Sequence, residues 1–217
     1  MQQVLPLRLR EASGRNSFII GDSNLEAVKW IDTFPKWSGD GLVLIGPKSS
    51  GKSHLISVWQ NKSLCSVINS KDINKENLSV LNSEHIAIEN IELIKNHNFL
   101  FHIINVKKEK NLKILFTSRE NINNLNISLD DLSSRLFALP QAKILNPTDD
   151  VLRGLIYKLF KDKGIRLNLP TINYISVRIE RTYEAVYDFM VEMDQASLES
   201  KRNITIPFIK EILKKKI

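Results

Sequence analysis

Residues 46–53 read Gly-Pro-Lys-Ser-Ser-Gly-Lys-Ser, a G-x-x-x-x-G-K-S spacing. It follows the apolar run Leu42-Val43-Leu44-Ile45, which reads as a buried strand. It precedes His54-Leu55-Ile56-Ser57-Val58-Trp59, which reads as the opening of a helix. A strand, a glycine-bearing loop and a helix in that order make a Walker A phosphate loop. The glycines let backbone N–H groups turn inward, and the helix N-terminus adds its own N–H groups to the anion site. Gly46, Pro47, Lys48, Ser49, Ser50, Gly51, Lys52, Ser53 and His54 are the candidate nucleotide contacts. Lys52 is placed to reach the β/γ-phosphates and Ser53 to ligate Mg²⁺. A buried parallel strand needs neighbours of the same kind, so this motif constrains the fold more than any other feature.

The remaining apolar runs supply those neighbours. Cys65-Ser66-Val67-Ile68, Ile86-Ala87-Ile88, Lys113–Ser118 and Ala142–Leu145 read as further strands. Between them lie helical patterns: Asn24–Phe34 with Leu25, Val28 and Ile31 on one side, Ile91–Val106 with Leu93, Phe99, Leu100, Ile103 and Ile104 available for burial, and Leu129–Phe137. Strands alternating with helices predict parallel βαβ units and a three-layer α/β base. After Asn146-Pro147 the pattern is helical: Asp149–Lys163 stopped by Gly164, Leu169–Ile179, Thr182–Ser200, and a last helix capped by Thr205 with Pro207 in its first turn. The expected organisation is an arm over 1–15, a base over 16–146 and a small helical lid over 147–217.

Composition narrows the setting. With 217 residues, 42% of them hydrophobic, the chain can bury a sizeable core. No apolar run approaches the ~20 residues of a membrane span, no secretory leader is read, and the single cysteine, Cys65, cannot form an internal disulfide. A cytoplasmic location with no membrane partner is expected. The formal charge of +7 permits contact with nucleic acid without specifying it. The lysine clusters at 107–110 and 214–216 lack interleaved aromatics and read as solvated helix ends.

Four further positions carry chemistry. Ile86-Ala87-Ile88-Glu89-Asn90 runs apolar residues into a carboxylate, as a Walker B strand does. Glu89 can serve Mg²⁺, but Asn90 stands where a second acid is usual and cannot take up a proton as a carboxylate can. Slow hydrolysis by this subunit alone is the expectation. Thr117 closes the fourth strand, where a hydroxyl can contact the γ-phosphate or orient water, or simply cap the next turn. Arg135, between apolar neighbours in Leu132–Leu136, has the planar fork that suits phosphate, although a lone helical arginine is also an ordinary ion-pair partner. Arg181 opens the Thr182–Ser200 helix, with Arg178 and Arg202 as alternatives. At the start, Gln2 with Leu5, Pro6 and Leu7 forms a short peptide that can dock on another protein or tuck against its own domain. His85, His97 and His102 have no ligand spacing, so no metal beyond nucleotide-bound Mg²⁺ is expected.

Taken together these segments resemble the AAA+ P-loop family, and within it the regulatory branch of the DnaA-related proteins. Phe18–Asn24 is similar to the adenine-holding segment of that branch, and Ile204–Leu213 is similar to its C-terminus. The resemblance implies an AAA+ base and lid, bound ADP or ATP with Mg²⁺, and action in trans. Arg135 would be an arginine finger for ATP held by the DnaA initiator, with Thr117 as sensor 1. Glu89 and Arg181 would join the Walker loop around this chain's own nucleotide. Gln2, Leu5, Pro6 and Leu7 would hold the β sliding clamp, with DNA reached through the clamp and a homo-oligomer left open. The expectation that no helix-turn-helix follows the lid distinguishes such a chain from an initiator. The competing readings are an ATP-driven loader or motor on DNA, and a DnaA-like recruitment factor.

Overall fold

A computed structural model describes residues 9–10, 18–73, 82 and 84–214. Backbone contacts divide the chain into two compact units. One is built on Asn24–Leu145 together with Phe18, and the other on residues from Asn146 onward together with Ile19–Ser23. Near the start, Leu9–Arg10 (β1) and Phe18–Ile19 (β2) form a small two-stranded sheet of their own.

The first unit is the α/β base. Its sheet comprises Gly41–Ile45 (β3), Ser66–Asn69 (β4), Ile86–Glu89 (β5), Ile114–Ser118 (β6) and Gln141–Lys143 (β7), in the order β4-β5-β6-β3-β7. Every pairing is parallel. The helices are Leu25–Thr33 (α1), Lys52–Ser63 (α2), His97–Glu109 (α3) and Asp130–Phe137 (α4). The chain moves one way across the sheet from β3 to β4 and the other way from β5 to β6 and from β6 to β7. Right-handed crossovers therefore place α2 on one face and α3 with α4 on the other. Packing agrees: Val43, Ile45, Ile86, Ile88, Ile114 and Phe116 share one core with Phe99, Leu100, Ile103 and Ile104 of α3 and Leu132 and Leu136 of α4. Leu42, Leu44, Ala87 and Leu115 alternate to the opposite face and are fully buried.

Two helix expectations are corrected. Ile91–Val106 is not one helix. Asn90 adopts a left-handed conformation (φ 55°), Ile91–Leu93 make a single 3₁₀ turn, and α3 starts only after Asn96, whose side chain accepts the Phe99 N–H. Leu93 is consequently 45% exposed instead of buried. Leu25, at the very start of α1, is also exposed, while Ala27 takes its place beside Val28 and Ile31.

The second unit packs Asp149–Asp162 (α5), Leu169–Ser176 (α6), Tyr183–Ser200 (α7) and Ile206–Lys214 (α8). Its core contains Leu152, Ile156, Phe160, Val186, Met193 and Phe208. Asn168 and Thr182 cap α6 and α7 by accepting the Thr171 and Ala185 N–H groups. Gly164, just past α5, takes a left-handed conformation (φ 77°). Ile19–Ser23 belongs here: Ser23 Oγ and Tyr183 OH lie 3.2 Å apart, and a Cβ at Gly21 would collide with Val151 Cγ2.

Candidate functional site

The phosphate loop leaves the carboxyl end of β3, where ligands bind in open α/β sheets. Gly46 N–H donates to Ser118 O at 3.0 Å, tying the loop's first residue to the end of β6. A side chain at Gly46 would press on Ile144 Cβ and Ser50 Oγ, both 2.9 Å from an added Cβ. Ser49 (φ 61°) and Gly51 (φ 90°) turn the backbone so that α2 starts at Lys52. Phe18 lies over Gly51 and stacks on His54, with ring centroids 5.1 Å apart and planes 13° from parallel.

Lys52 Nζ donates to Gly46 O at 2.6 Å and to Pro47 O at 2.8 Å, so the loop's own carbonyls hold the ammonium under the backbone arch. Burial lowers its pKa to about 8, against a smaller upward pull from the Glu92 carboxylate. Ser53 Oγ donates to Glu89 Oε1 at 2.5 Å. The loop hydroxyl and the acid at the end of β5 are therefore adjacent, thirty-six positions apart in sequence. Both are hard oxygen ligands of the kind Mg²⁺ takes alongside nucleotide phosphates. The donor set fits that ion, with Ser53 and Glu89 as the residues that would hold it.

Thr117 is buried, and its Oγ1 accepts the Asn90 N–H at 3.1 Å. The hydroxyl therefore couples the ends of β5 and β6 and keeps its own proton for a further acceptor. Ser70 Oγ donates to Asn90 O, so the backbone of Asn90 is held from both sides. Two residues that the sequence motifs do not single out also come to this edge. Glu92, in the turn after Asn90, pairs with Arg119 just past β6, Nε to Oε1 at 3.5 Å. The signal for them is faint: a second glutamate three positions after Glu89, and a cation directly after the strand.

Arg135 is half-buried on α4 and its guanidinium makes no ion pair or hydrogen bond among the described residues. Arg181 precedes the cap of α7, is 67% exposed and pairs with Asp149 at 3.2 Å. Arg178 is instead stacked over Tyr174, with its guanidinium carbon 3.6 Å from the ring centre, and Arg202 pairs with Glu211. Arg202 also lies over the Phe208 ring, 5.0 Å from its centre, so of these three arginines Arg181 is the one held only by an exposed ion pair, which costs little to break. Gln2, Leu5, Pro6 and Leu7 lie outside the described residues.

Residues 155–213 match the family model described as Hda, lid domain. An uncharacterised protein of Haemophilus influenzae is 27% identical over 234 residues, an alignment spanning 98% of this chain and 99% of that protein. Domain III of the Thermotoga maritima replication initiation protein DnaA superposes with a TM-score of 0.77 at 14% identity, covering 91% of this chain and 94% of the other. This chain thus has the fold of DnaA domain III, and its residues 155–213 are similar to the lid of Hda. AMPPCP-bound DnaA from Aquifex aeolicus resembles this chain with a TM-score of 0.68 at 16% identity, over 84% of this chain and 65% of the other. The Thermotoga maritima RuvB Holliday junction branch migration motor superposes with a TM-score of 0.64 at 15% identity, over 81% of this chain and 61% of its own. At those identities the superpositions speak for the fold, which an initiator and a branch-migration motor share. The sequence match to the lid is what points toward Hda. No helix among the described residues is long and apolar enough to cross a membrane.

Proposed function

We propose that this chain is a regulatory adaptor that holds an adenine nucleotide in the Gly46–Ser53 loop and lends Arg135 to ATP bound by a DnaA initiator, stimulating its hydrolysis. Initiation of replication is thereby turned down. The match of residues 155–213 to the Hda lid model is the observation that carries this reading. Three features of the base support it. The loop lysine is preformed under the arch. Ser53 and Glu89 stand together for Mg²⁺. Arg135 has no ion pair among the described residues that a partner would first have to break. Binding of AMPPCP by the Aquifex relative is consistent with an adenine nucleotide here. In this reading Gln2, Leu5, Pro6 and Leu7 dock on the β sliding clamp, which brings the chain to DNA.

The decisive measurement is turnover of DnaA-bound ATP with and without this protein and DNA-loaded clamp. Wild-type chain should accelerate it. Arg135→Ala should abolish the acceleration, since finger arginines contribute about 10³–10⁵ in rate. Stimulation undiminished in Arg135→Ala rejects the finger.

A further inference from the structure

We propose that Glu92 is the general base for hydrolysis of this chain's own nucleotide, standing in for the acid missing at Asn90, and that Arg119 latches it out of use. The inference rests on the nucleotide-binding reading of the Gly46–Ser53 loop.

The side chain of Glu92 is only 9% exposed, and its Oε1 is fully buried without accepting a hydrogen bond from the protein. Arg119 Nε stands 3.5 Å from that oxygen. The other oxygen, Oε2, accepts the Arg119 N–H at 3.3 Å. A contact of that length is a poor return for burying a carboxylate, whose desolvation needs close, well-aligned partners to offset it. Purely structural pairing therefore leaves the burial unexplained.

Position supplies the explanation. β5 and β6 run in register, with Ile88 opposite Phe116, so the residues beyond their ends face each other. Ser118 O accepts the Gly46 N–H, which sets Arg119, the next residue, beside the start of the phosphate loop. Glu92 thus sits on the strand edge that also carries Thr117 and Glu89. Among carboxylates its charge acts on the Lys52 ammonium more strongly than that of Glu89 does. Asn90, which occupies the ordinary place of a base, offers an amide and has its backbone pinned by Thr117 and Ser70. With Glu89 engaged by Ser53, Glu92 one turn further on is a second carboxylate near Lys52 able to accept a proton.

In the observed arrangement Oε1 is enclosed, and Oε2 accepts the Arg119 backbone N–H. The Arg119 side chain itself is 49% exposed, so it can swing into solvent at little cost. Once it does, Oε1 is uncovered. Water oxygen then attacks the γ-phosphorus as the bond from that phosphorus to the β,γ-bridging oxygen breaks. ADP departs with the electron pair, and Glu92 takes the proton that water loses before passing it to the released phosphate.

The test is single-turnover hydrolysis of ATP by the full chain, with binding of a fluorescent ATP analogue titrated separately for each variant. Arg119→Ala should hydrolyse at least about tenfold faster than wild type, a part of the roughly 10²–10⁴-fold that a positioned base contributes. Arg119→Gln, which keeps most of the volume, guards against a folding artefact and should also be faster. Arg119→Lys should stay near the wild-type rate, because a cation remains. Adding Glu92→Gln to Arg119→Ala should return the rate to wild type or below. Normal binding with no acceleration in both the Ala and Gln variants overturns the latch, as does a double variant as fast as Arg119→Ala. A wild-type chain that binds no analogue overturns the nucleotide site itself, and the base with it.

Discussion

Lys52 is an ammonium whose environment has made it only weakly basic. With a pKa near 8 it is charged at neutral pH, and it loses its proton as pH rises past that value. A phosphate ligand favours the charged form, so binding is undiminished below pH 8, and above it a proton must first be taken up. Affinity for ADP should therefore be flat between about pH 6.5 and 7.5 and fall by up to about tenfold per pH unit above 8. A fluorescent-ADP titration at pH 7 and pH 9 checks this, and equal affinity at the two values removes Lys52 from the phosphate contact. The identity of Lys52 is legible from the motif alone, because the spacing fixes which residue starts the helix. Its basicity is not, since burial and the nearness of Glu92 arise from chain segments forty residues away. Glu92 and Arg119 escape a reading of the sequence for the same reason. Each is an ordinary charged residue in sequence, and only the pairing of β5 with β6 brings them to one edge.

Among the elements, the joint between β3 and α2 has the least freedom. Gly51 sits at φ 90°, and an added Cβ would fall 2.6 Å from Phe18 Cε2. Gly51→Ala should therefore cost about 1–3 kcal/mol of stability from backbone strain, together with loss of nucleotide binding as the Phe18–His54 stack is displaced. Urea unfolding and an ADP titration on the same sample read both effects. Four strands of the main sheet are readable because each contains a short apolar run; β7 has only Ala142 as an apolar residue and spans Gln141–Lys143 instead of the expected Ala142–Leu145. The stretch after β5 misleads for a specific reason: Ile91, Leu93 and the later apolar residues have helical spacing, but Asn90 takes a left-handed turn and Asn96 caps α3 afresh. An asparagine's tolerance of positive φ decides the outcome there, and periodicity does not register it. In the helical unit Phe208 of α8 is buried with Phe160 and Met193. Phe208→Ala should lower the stability of that unit by about 3–5 kcal/mol, seen as an earlier loss of helical circular dichroism in urea.

At the scale of the whole molecule, the proposed activity needs a nucleotide loop, an arginine for a partner and a docking peptide on one chain. Removing residues 1–8 should abolish retention on immobilised β clamp while leaving ADP binding at the wild-type level; full retention would remove the docking role of Gln2, Leu5, Pro6 and Leu7. The succession of strands along the chain, the helical second unit and the phosphate loop can all be anticipated from local patterns, because apolar periodicity and a glycine-lysine-serine spacing express short-range sterics and burial. What the local pattern cannot reach is everything set by neighbours distant in the chain. Ser53 meets Glu89, Thr117 holds the backbone of Asn90, and Ile19–Ser23 leaves the base to join the helical unit through Tyr183 and Val151. Such contacts depend on which strands become adjacent and which surfaces fill one another, and that is decided only when the sheet assembles and its two faces are packed.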